Sequence, residues 1–141
     1  MSLSVVLLAA GEGKRMKTSQ PKPLVMLGDI PMVQHSLNTI RKLKPSQVFI
    51  VTGHKKDEVK KYVLENNEGD YIFCEQKERL GTGHAVKQAA PYLPEKGKTL
   101  ILYSDVPLLT DKTAKKLIRS SARKKISILT TFLDDPKGYG R

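Results

Sequence analysis

A glycine-rich turn followed closely by basic residues lies near the start of the sequence. Residues 9–13 read Ala-Ala-Gly-Glu-Gly, and after them come Lys14, Arg15, Lys17 and Lys22. Small residues let backbone N–H groups approach a ligand closely and form a nest for an anion. Lysine and arginine side chains add positive charge for a polyphosphate. The pattern predicts a phosphate cradle, with a tight turn between a strand and a helix as the alternative.

This turn does not match two common nucleotide-binding fingerprints. Gly11 and Gly13 fit the first two glycines of the dinucleotide pattern, but Met16 stands where the third glycine is required. The P-loop pattern fails as well, because no Gly-Lys-Ser/Thr closes the loop. The turn alone therefore indicates an anion site without specifying the nucleotide.

A carboxylate follows another apolar run, at Asp105. An acidic residue at the carboxyl end of a buried strand is costly unless it caps a helix, pairs with a cation or binds a metal ion. Mg²⁺ is commonly held by one or two carboxylates together with substrate phosphates. Asp105 is therefore the predicted Mg²⁺ ligand, and a helix cap or a salt bridge to Lys14 or Arg15 is the alternative.

A third group of polar and small residues follows the apolar run 71–74. The amide of Gln76 carries donors and an acceptor that could read the edge of a base, although an ordinary exposed loop amide is the alternative. Gly81 permits close backbone approach, and Thr82 could cap the next helix and contact the base. We expect a structural or ribose-side role for His84, and the histidine spacing supports neither a zinc site nor a nucleophilic triad.

Short apolar runs alternate with amphipathic stretches, and these elements must position the candidate residues. The apolar runs predict strands at Ser4–Ala9, Gln47–Thr52, Tyr71–Cys74, Thr99–Tyr103 and Ile126–Phe132. Helical spacing predicts helices at Met32–Leu43, Asp57–Leu64, Gly83–Ala90 and Asp111–Lys124, the last capped by Thr110. The alternation predicts one α/β domain over residues 1–141, with a mostly parallel sheet covered on both faces and ligands beyond the strands' carboxyl ends.

Composition narrows the classes of partner. A formal net charge of +11 favours anionic ligands, yet the charges are spread over predicted helices, as a plain solvated surface would also have them. Aromatic residues are 6% of the chain and do not recur within a basic stretch, so a nucleic-acid platform is not indicated. The leading apolar run is too short to cross a bilayer and lacks signal-peptide features, so we expect a cytoplasmic protein without a membrane partner. Cys74 is expected to be a buried thiol.

Five motifs, in order along the chain, resemble those of the nucleotidyltransferases that make sugar nucleotides. They are LAAGEGKRM (8–16) with PKPL (21–24), MVQH (32–35), Gln76 with LGTGHA (80–85), YSDVPL (103–108) and DDPKGYGR (134–141). The set is most similar to the N-terminal uridylyltransferase domain of bifunctional N-acetylglucosamine-1-phosphate uridylyltransferases/glucosamine-1-phosphate acetyltransferases. This resemblance implies a Rossmann-like, three-layer nucleotidyltransferase fold with a mostly parallel sheet, here incomplete.

The resemblance also implies roles for individual residues. It assigns the nucleotide to Leu8, Ala9, Ala10, Gly11 and Gly13, the phosphates to Arg15 and Lys22, the uracil to Gln76, Gly81 and Thr82, the ribose and sugar side to Tyr103 and Ser104, Mg²⁺ to Asp105, and the sugar to Gly140. Arg15, Lys22 and Asp105 would be the catalytic residues. Ser104 departs from the family, which typically has glycine at this position, and its hydroxymethyl group is expected to crowd the ligand.

The implied reaction transfers UMP from UTP to N-acetylglucosamine 1-phosphate, giving UDP-N-acetylglucosamine, a cell-wall precursor, and pyrophosphate. The family domain continues beyond Gly140 with further sugar-phosphate and metal contacts, followed by an acetyltransferase β-helix that forms trimers. We therefore expect a truncated uridylyltransferase domain that is monomeric and takes UTP and a sugar 1-phosphate as partners, with a non-catalytic nucleotide-binding module as the alternative.

Overall fold

The computed structural model describes residues 2–13, 16–121 and 125–138. In chain order its elements are β1 (Leu3–Ala9), β2 (Met26–Leu27), β3 (Ile30–Pro31), α1 (Met32–Leu43), β4 (Gln47–Thr52), α2 (Lys56–Asn66), β5 (Tyr71–Glu75), α3 (Thr82–Ala89), β6 (Lys98–Tyr103) and α4 (Asp111–Ser120). Short 3₁₀ turns occupy Lys22–Leu24 and Ala90–Tyr92. Among the described residues the longest helix, α1, has 12 residues, and no helix there could span a membrane.

The main sheet is parallel and lies between two helical layers. Its four strands follow the spatial order β5-β4-β1-β6. Because successive side chains of a strand point to opposite faces, Val5 and Leu7 of β1 pack with residues of α1, α2 and α4, whereas Val6 and Leu8 pack with residues of α3. Val5, Val6 and Leu7 are fully buried, and such burial stabilises the fold by about 1.5–3 kcal/mol per side chain.

The first four predicted strands and all four predicted helices are present. The predicted bounds Met32–Leu43 and Gln47–Thr52 are confirmed without change. Each of the other elements differs from its prediction by one or two residues at one or both ends, except the last helix, whose predicted end at Lys124 lies outside the described residues. Thr110 caps α4 as predicted, because its hydroxyl oxygen accepts the Thr113 N–H at 3.2 Å. The hairpin β2–β3 was not predicted, since two strands of two residues each are too short to produce a detectable pattern.

The predicted fifth strand, Ile126–Phe132, is wrong. The structure assigns no strand to these residues, and the side chains of Ile126, Ile128 and Phe132 are exposed. An apolar run becomes a strand only where a neighbour supplies hydrogen-bond partners. Among the described residues β6 has β1 on one side and no strand on the other, and the 126–132 segment does not pair with that free edge.

Cys74 lies in β5 and is buried, as predicted. Burial raises the pKa of its thiol above the ordinary value of 9.0, so little reactive thiolate forms at neutral pH. We expect Ellman's reagent to label the native chain at least ~100-fold more slowly than the same chain unfolded in guanidinium, because labelling needs local opening of the sheet. Stopped-flow absorbance measures both rates, and equal rates would contradict the buried position.

Candidate nucleotide-binding site

Most of the predicted site residues meet at one edge of the main sheet, although Gly13 is not among those that line the pocket there. The strands are parallel, so the carboxyl ends of β1, β4, β5 and β6 lie along the same edge. A pocket of about 310 Å³ opens there, lined by Leu8, Ala10, Gly11, Lys22, Gln76, Arg79, Gly81, Thr82, Ala85, Tyr103, Ser104 and Asp105. Ala9 is buried in the core instead of lining this pocket. Arg15 and Gly140, two further predicted site residues, lie outside the described residues.

The glycines of the turn after β1 make room for Lys22. A Cβ atom added at Gly13 would lie 3.1 Å from the Cβ atom of Lys22, and one added at Gly11 would lie 3.4 Å from its Cδ atom. Gly13 also has a φ of +69°, which favours glycine. Backbone approach to a ligand is therefore not the sole reason for small residues here, because they also let a lysine side chain pack across the turn.

Lys22 is held in place by its neighbours and reaches across the pocket. Pro21 and Pro23 are fully buried on either side of it, and their fixed φ angles preset the 3₁₀ turn that begins at Lys22. The Lys22 Nζ donates a hydrogen bond to Oδ2 of Asp105 at 2.6 Å. A salt bridge was one alternative for Asp105, but with Lys14 or Arg15, both of which lie outside the described residues.

Asp105 fits a metal ion that also binds substrate phosphates. Its side chain follows β6 at the pocket wall and is 39% exposed, so its oxygens are accessible to a ligand. Within ranges 2–13, 16–121 and 125–138, no three His, Cys, Asp or Glu side chains are grouped for metal binding. A site made of one carboxylate, phosphate oxygens and water suits Mg²⁺, which rarely takes a full set of protein ligands.

Gln76 follows β5, whereas Asp105 follows β6, the outer strand at the other end of the sheet. Gln76 is buried, 7% exposed, which excludes an ordinary exposed loop amide. Its Nε2 donates to the carbonyl oxygen of Gly81 at 3.1 Å and lies 3.1 Å from Nδ1 of His84. The other ring nitrogen of His84 contacts the Gln88 amide, so this ring is packed between two glutamines. The N-cap of α3 is Gly81 and not Thr82, which is the first helical residue. Gly81 takes this place because the cap has a φ of 95°, a conformation that threonine adopts poorly.

Residues at the end of β6 form another part of the pocket wall. Tyr103 is paired in register with Leu8 of β1 and is 41% exposed. The Ser104 N–H donates to the Leu8 carbonyl oxygen at 3.0 Å, which fixes the ends of the two strands to each other. Ser104 is buried and lines the pocket, so its extra hydroxymethyl group occupies space in the wall.

The sequence analysis did not identify two of the residues that line the pocket, Arg79 and Ala85. Ala85 lies in the first turns of α3, and Arg79 lies between β5 and α3. Arg79 forms an ion pair through its Nη2 with Oε1 of Glu12, in the glycine-rich turn. A cation three residues after Gln76 was the available signal for Arg79, whereas no sequence pattern indicates its pairing with the remote Glu12.

An ion pair involving the residue before Gln76 connects two elements at the edge of the sheet where the pocket lies. Lys56, the first residue of α2, donates to Oε2 of Glu75 at 2.7 Å. This hydrogen bond lowers the pKa of Glu75 and raises the pKa of Lys56. The pair links the start of α2 to the last residue of β5, directly before Gln76 in the chain.

Comparison with known proteins shows the family of the chain. The sequence model of the MobA-like NTP transferase domain matches residues 5–137. The chain belongs to the MobA-like NTP transferase family. Its fold is accordingly a nucleotidyltransferase fold with a mostly parallel sheet, as predicted.

Known proteins are similar to this chain in sequence or in fold over most of its length. The bifunctional protein GlmU of Idiomarina loihiensis is 45% identical over 141 residues, which are 100% of this chain and 30% of the relative. HddC from Yersinia pseudotuberculosis, solved as a complex with GMP-PN, has a TM-score of 0.70 at 28% identity. The structural alignment covers 83% of this chain and 53% of the HddC chain. A nucleotidyl transferase from Methanothermobacter has a TM-score of 0.70 at 18% identity and shares the fold.

The matches to the bifunctional protein GlmU confirm the resemblance that the sequence motifs indicated. The chain spans about 30% of the length of the curated relatives it matches.

Proposed function

We propose that this chain forms the nucleotide half of a uridylyltransferase site, which binds UTP with Mg²⁺ and, in the complete enzyme, transfers UMP to N-acetylglucosamine 1-phosphate. The observation that carries the proposal is the pocket itself. It has a cation and a carboxylate 2.6 Å apart at one end, Lys22 and Asp105, and the buried amide of Gln76 at the other. A nucleoside triphosphate needs the same arrangement, with positive charge at the phosphates and fixed donors and acceptors at the base.

At the phosphate end, Lys22 and the backbone N–H groups of residues 10–13 bind the triphosphate, and Arg15 adds a second cation. The ammonium group of Lys22 is paired with Asp105. Phosphate oxygens would bind the same ammonium group, and the Asp105 carboxylate would hold the metal ion. A bound magnesium ion would supply positive charge to the phosphate oxygens and hold the triphosphate in one geometry.

The proposed reaction is a direct displacement. An oxygen of the sugar 1-phosphate attacks the α-phosphorus of UTP in line, and pyrophosphate leaves. Lys22 stabilises the charge that develops on the phosphate oxygens, since a cation held in a pocket needs little reorganisation during the reaction. The family resemblance assigns the same role to Arg15. The family resemblance assigns Tyr103 and Ser104 to the ribose and sugar side, and both line the pocket together with Asp105.

Two measurements on the 141-residue chain test the proposal. Isothermal titration with UTP, CTP, ATP and GTP in the presence of Mg²⁺ is expected to show tightest binding for UTP, and NMR shift changes should gather at residues 8–13 and 76–82. A parallel assay follows pyrophosphate release with N-acetylglucosamine 1-phosphate. Binding without release would identify a nucleotide-binding module instead of an enzyme, and equal affinity for all four nucleotides would contradict the assignment of uracil.

Replacing Gln76 by methionine is expected to weaken UTP binding about tenfold, because the change removes a buried amide and leaves the Gly81 carbonyl oxygen without this donor. Inorganic tripolyphosphate has no base and should bind the variant and the parent equally well. Titration with both ligands therefore isolates the base end of the pocket. Gln47→Met, at the exposed start of β4 and therefore at the opposite edge of the sheet, is the control and should bind both ligands like the parent. An equal loss for both ligands in Gln76→Met would contradict a base-reading role.

A further inference from the structure

The His84 ring lies between two glutamine amides, and both amides turn their NH₂ groups toward it. Nε2 of Gln76 lies 3.1 Å from the Gly81 carbonyl oxygen and 3.1 Å from Nδ1 of His84. Nε2 of Gln88 lies 2.9 Å from the His84 carbonyl oxygen and 3.2 Å from Nε2 of the ring. Because a backbone carbonyl oxygen only accepts hydrogen bonds, the two carbonyl contacts fix the orientation of both amides. The ring therefore faces a donor on each side.

A neutral imidazole ring can accept only one of these two hydrogen bonds. One ring nitrogen carries a proton and the other a lone pair, so one amide gains a hydrogen bond and the other faces an N–H group. Gln76 is 7% exposed, and a buried N–H without an acceptor costs more than one that reaches water. Gln88 is half-buried on α3, where a side chain has access to solvent. The lone pair is therefore placed on Nδ1, toward Gln76, and the proton on Nε2.

This arrangement leaves the oxygen of the Gln76 amide for a ligand. Both N–H bonds of its Nε2 are used, one by Gly81 and one by His84. In the part of the chain that the structure describes, no group hydrogen-bonds Oε1 of Gln76, and this oxygen is not one of the fully buried atoms without a partner. Since Gln76 lines the pocket, a base bound there meets an acceptor and no donor from this side chain.

We propose that His84 is a positioning residue, which holds the Gln76 amide so that its oxygen alone is offered to the base. The inference rests on the proposed function of this pocket and gives it an atomic criterion. At N3 uracil carries a hydrogen that can be donated, whereas N3 of cytosine is bare and accepts. An amide that offers only an acceptor therefore favours uracil. His84 is not one of the described residues that line the pocket, so it acts through Gln76.

The test measures the preference for UTP over CTP, because the two bases have the same ring and differ in whether N3 donates. Isothermal titration of the 141-residue chain with Mg²⁺ is expected to show about tenfold or more tighter binding of UTP by the parent. His84→Leu frees one N–H of Gln76, which can then donate to N3 of cytosine, so the preference should shrink to about threefold or less. His84→Asn keeps an oxygen that can accept this N–H and should retain most of the preference.

Further measurements separate positioning from folding. Tripolyphosphate has no base, so the parent and both His84 variants should bind it equally well, and melting temperatures establish that each variant folds. Gln88→Met removes the amide on the other side of the ring and should leave the preference for UTP unchanged. Nitrogen-15 NMR of the parent at about pH 8, where an ordinary histidine is neutral, should show the proton of the His84 ring on Nε2.

The outcomes distinguish this inference from the function on which it rests. A proton on Nδ1 of His84 would overturn the inference alone. So would a His84→Leu variant that keeps the preference of the parent, or that binds UTP, CTP and tripolyphosphate more weakly by one common factor. A lost preference in Gln88→Met would place the lone pair on the other ring nitrogen and overturn it as well. A parent chain that binds UTP and CTP equally, or neither of them, would show that the proposed function is wrong, and the inference would be overturned with it.

Discussion

Asp105→Asn is expected to change UTP binding in opposite directions with and without Mg²⁺. In metal-free buffer the variant should bind UTP at least as tightly as the parent, because the carboxylate that pairs with Lys22 and repels phosphates is gone. With Mg²⁺ the parent should gain affinity and the variant should not, since an amide is a poor replacement for a carboxylate ligand. Pyrophosphate release, where the parent shows it, should fall by about 10²–10³-fold. Titration of UTP at several Mg²⁺ concentrations measures the effect.

The matched control is Asp70→Asn. Asp70 directly precedes β5, so it lies at the edge of the parallel sheet opposite to the pocket and is exposed. This control loses the same charge and should keep the Mg²⁺ dependence of the parent. If Asp105→Asn also follows the parent at every Mg²⁺ concentration, Asp105 does not bind the metal ion and its role is restricted to the salt bridge with Lys22.

Strands and helices with strong local patterns were predictable from the sequence. Continuous apolar runs identified the four strands of the main sheet, and apolar spacing located α1 and α4. The position of the site followed from the parallel sheet, because parallel strands direct their carboxyl ends to one edge. Lys22, Gln76 and Asp105, which lie far apart in the sequence, were therefore expected together and all line the same pocket.

Pairings between remote residues were not predictable in this way. The sequence suggested Lys14 or Arg15 as a partner for Asp105, because nothing in it shows that buried Pro21 and Pro23 direct Lys22 across the pocket. The contact between Glu12 and Arg79 could not be predicted either, because it depends on how two loops approach each other. The 126–132 segment illustrates a related limit, because apolar content indicates a strand but does not supply its neighbour.

Lys22→Met is expected to weaken the binding of UTP with Mg²⁺ by roughly ten- to hundredfold, the value of one charge-assisted hydrogen bond to phosphate. Methionine keeps most of the aliphatic side chain that packs beside Gly11 and Gly13, so the turn should retain its shape. Tripolyphosphate binding should fall by the same factor as UTP binding, which is the opposite of the result expected for Gln76→Met. Lys116→Met, on the exposed side of α4, is the control and should bind both ligands like the parent.

The double variant Lys22→Met/Asp105→Asn tests whether the two side chains act as one unit. Lys22→Met leaves the Asp105 carboxylate without this cation, so part of the affinity lost in metal-free buffer comes from repulsion between that carboxylate and the phosphates. Adding Asp105→Asn should therefore recover part of the loss without Mg²⁺ but none of it with Mg²⁺, where the carboxylate is needed as a ligand. Effects that simply add under both conditions would show that the two residues act independently. A difference between the two conditions is specific to a lysine and a carboxylate that exchange partners when the triphosphate and its metal ion bind.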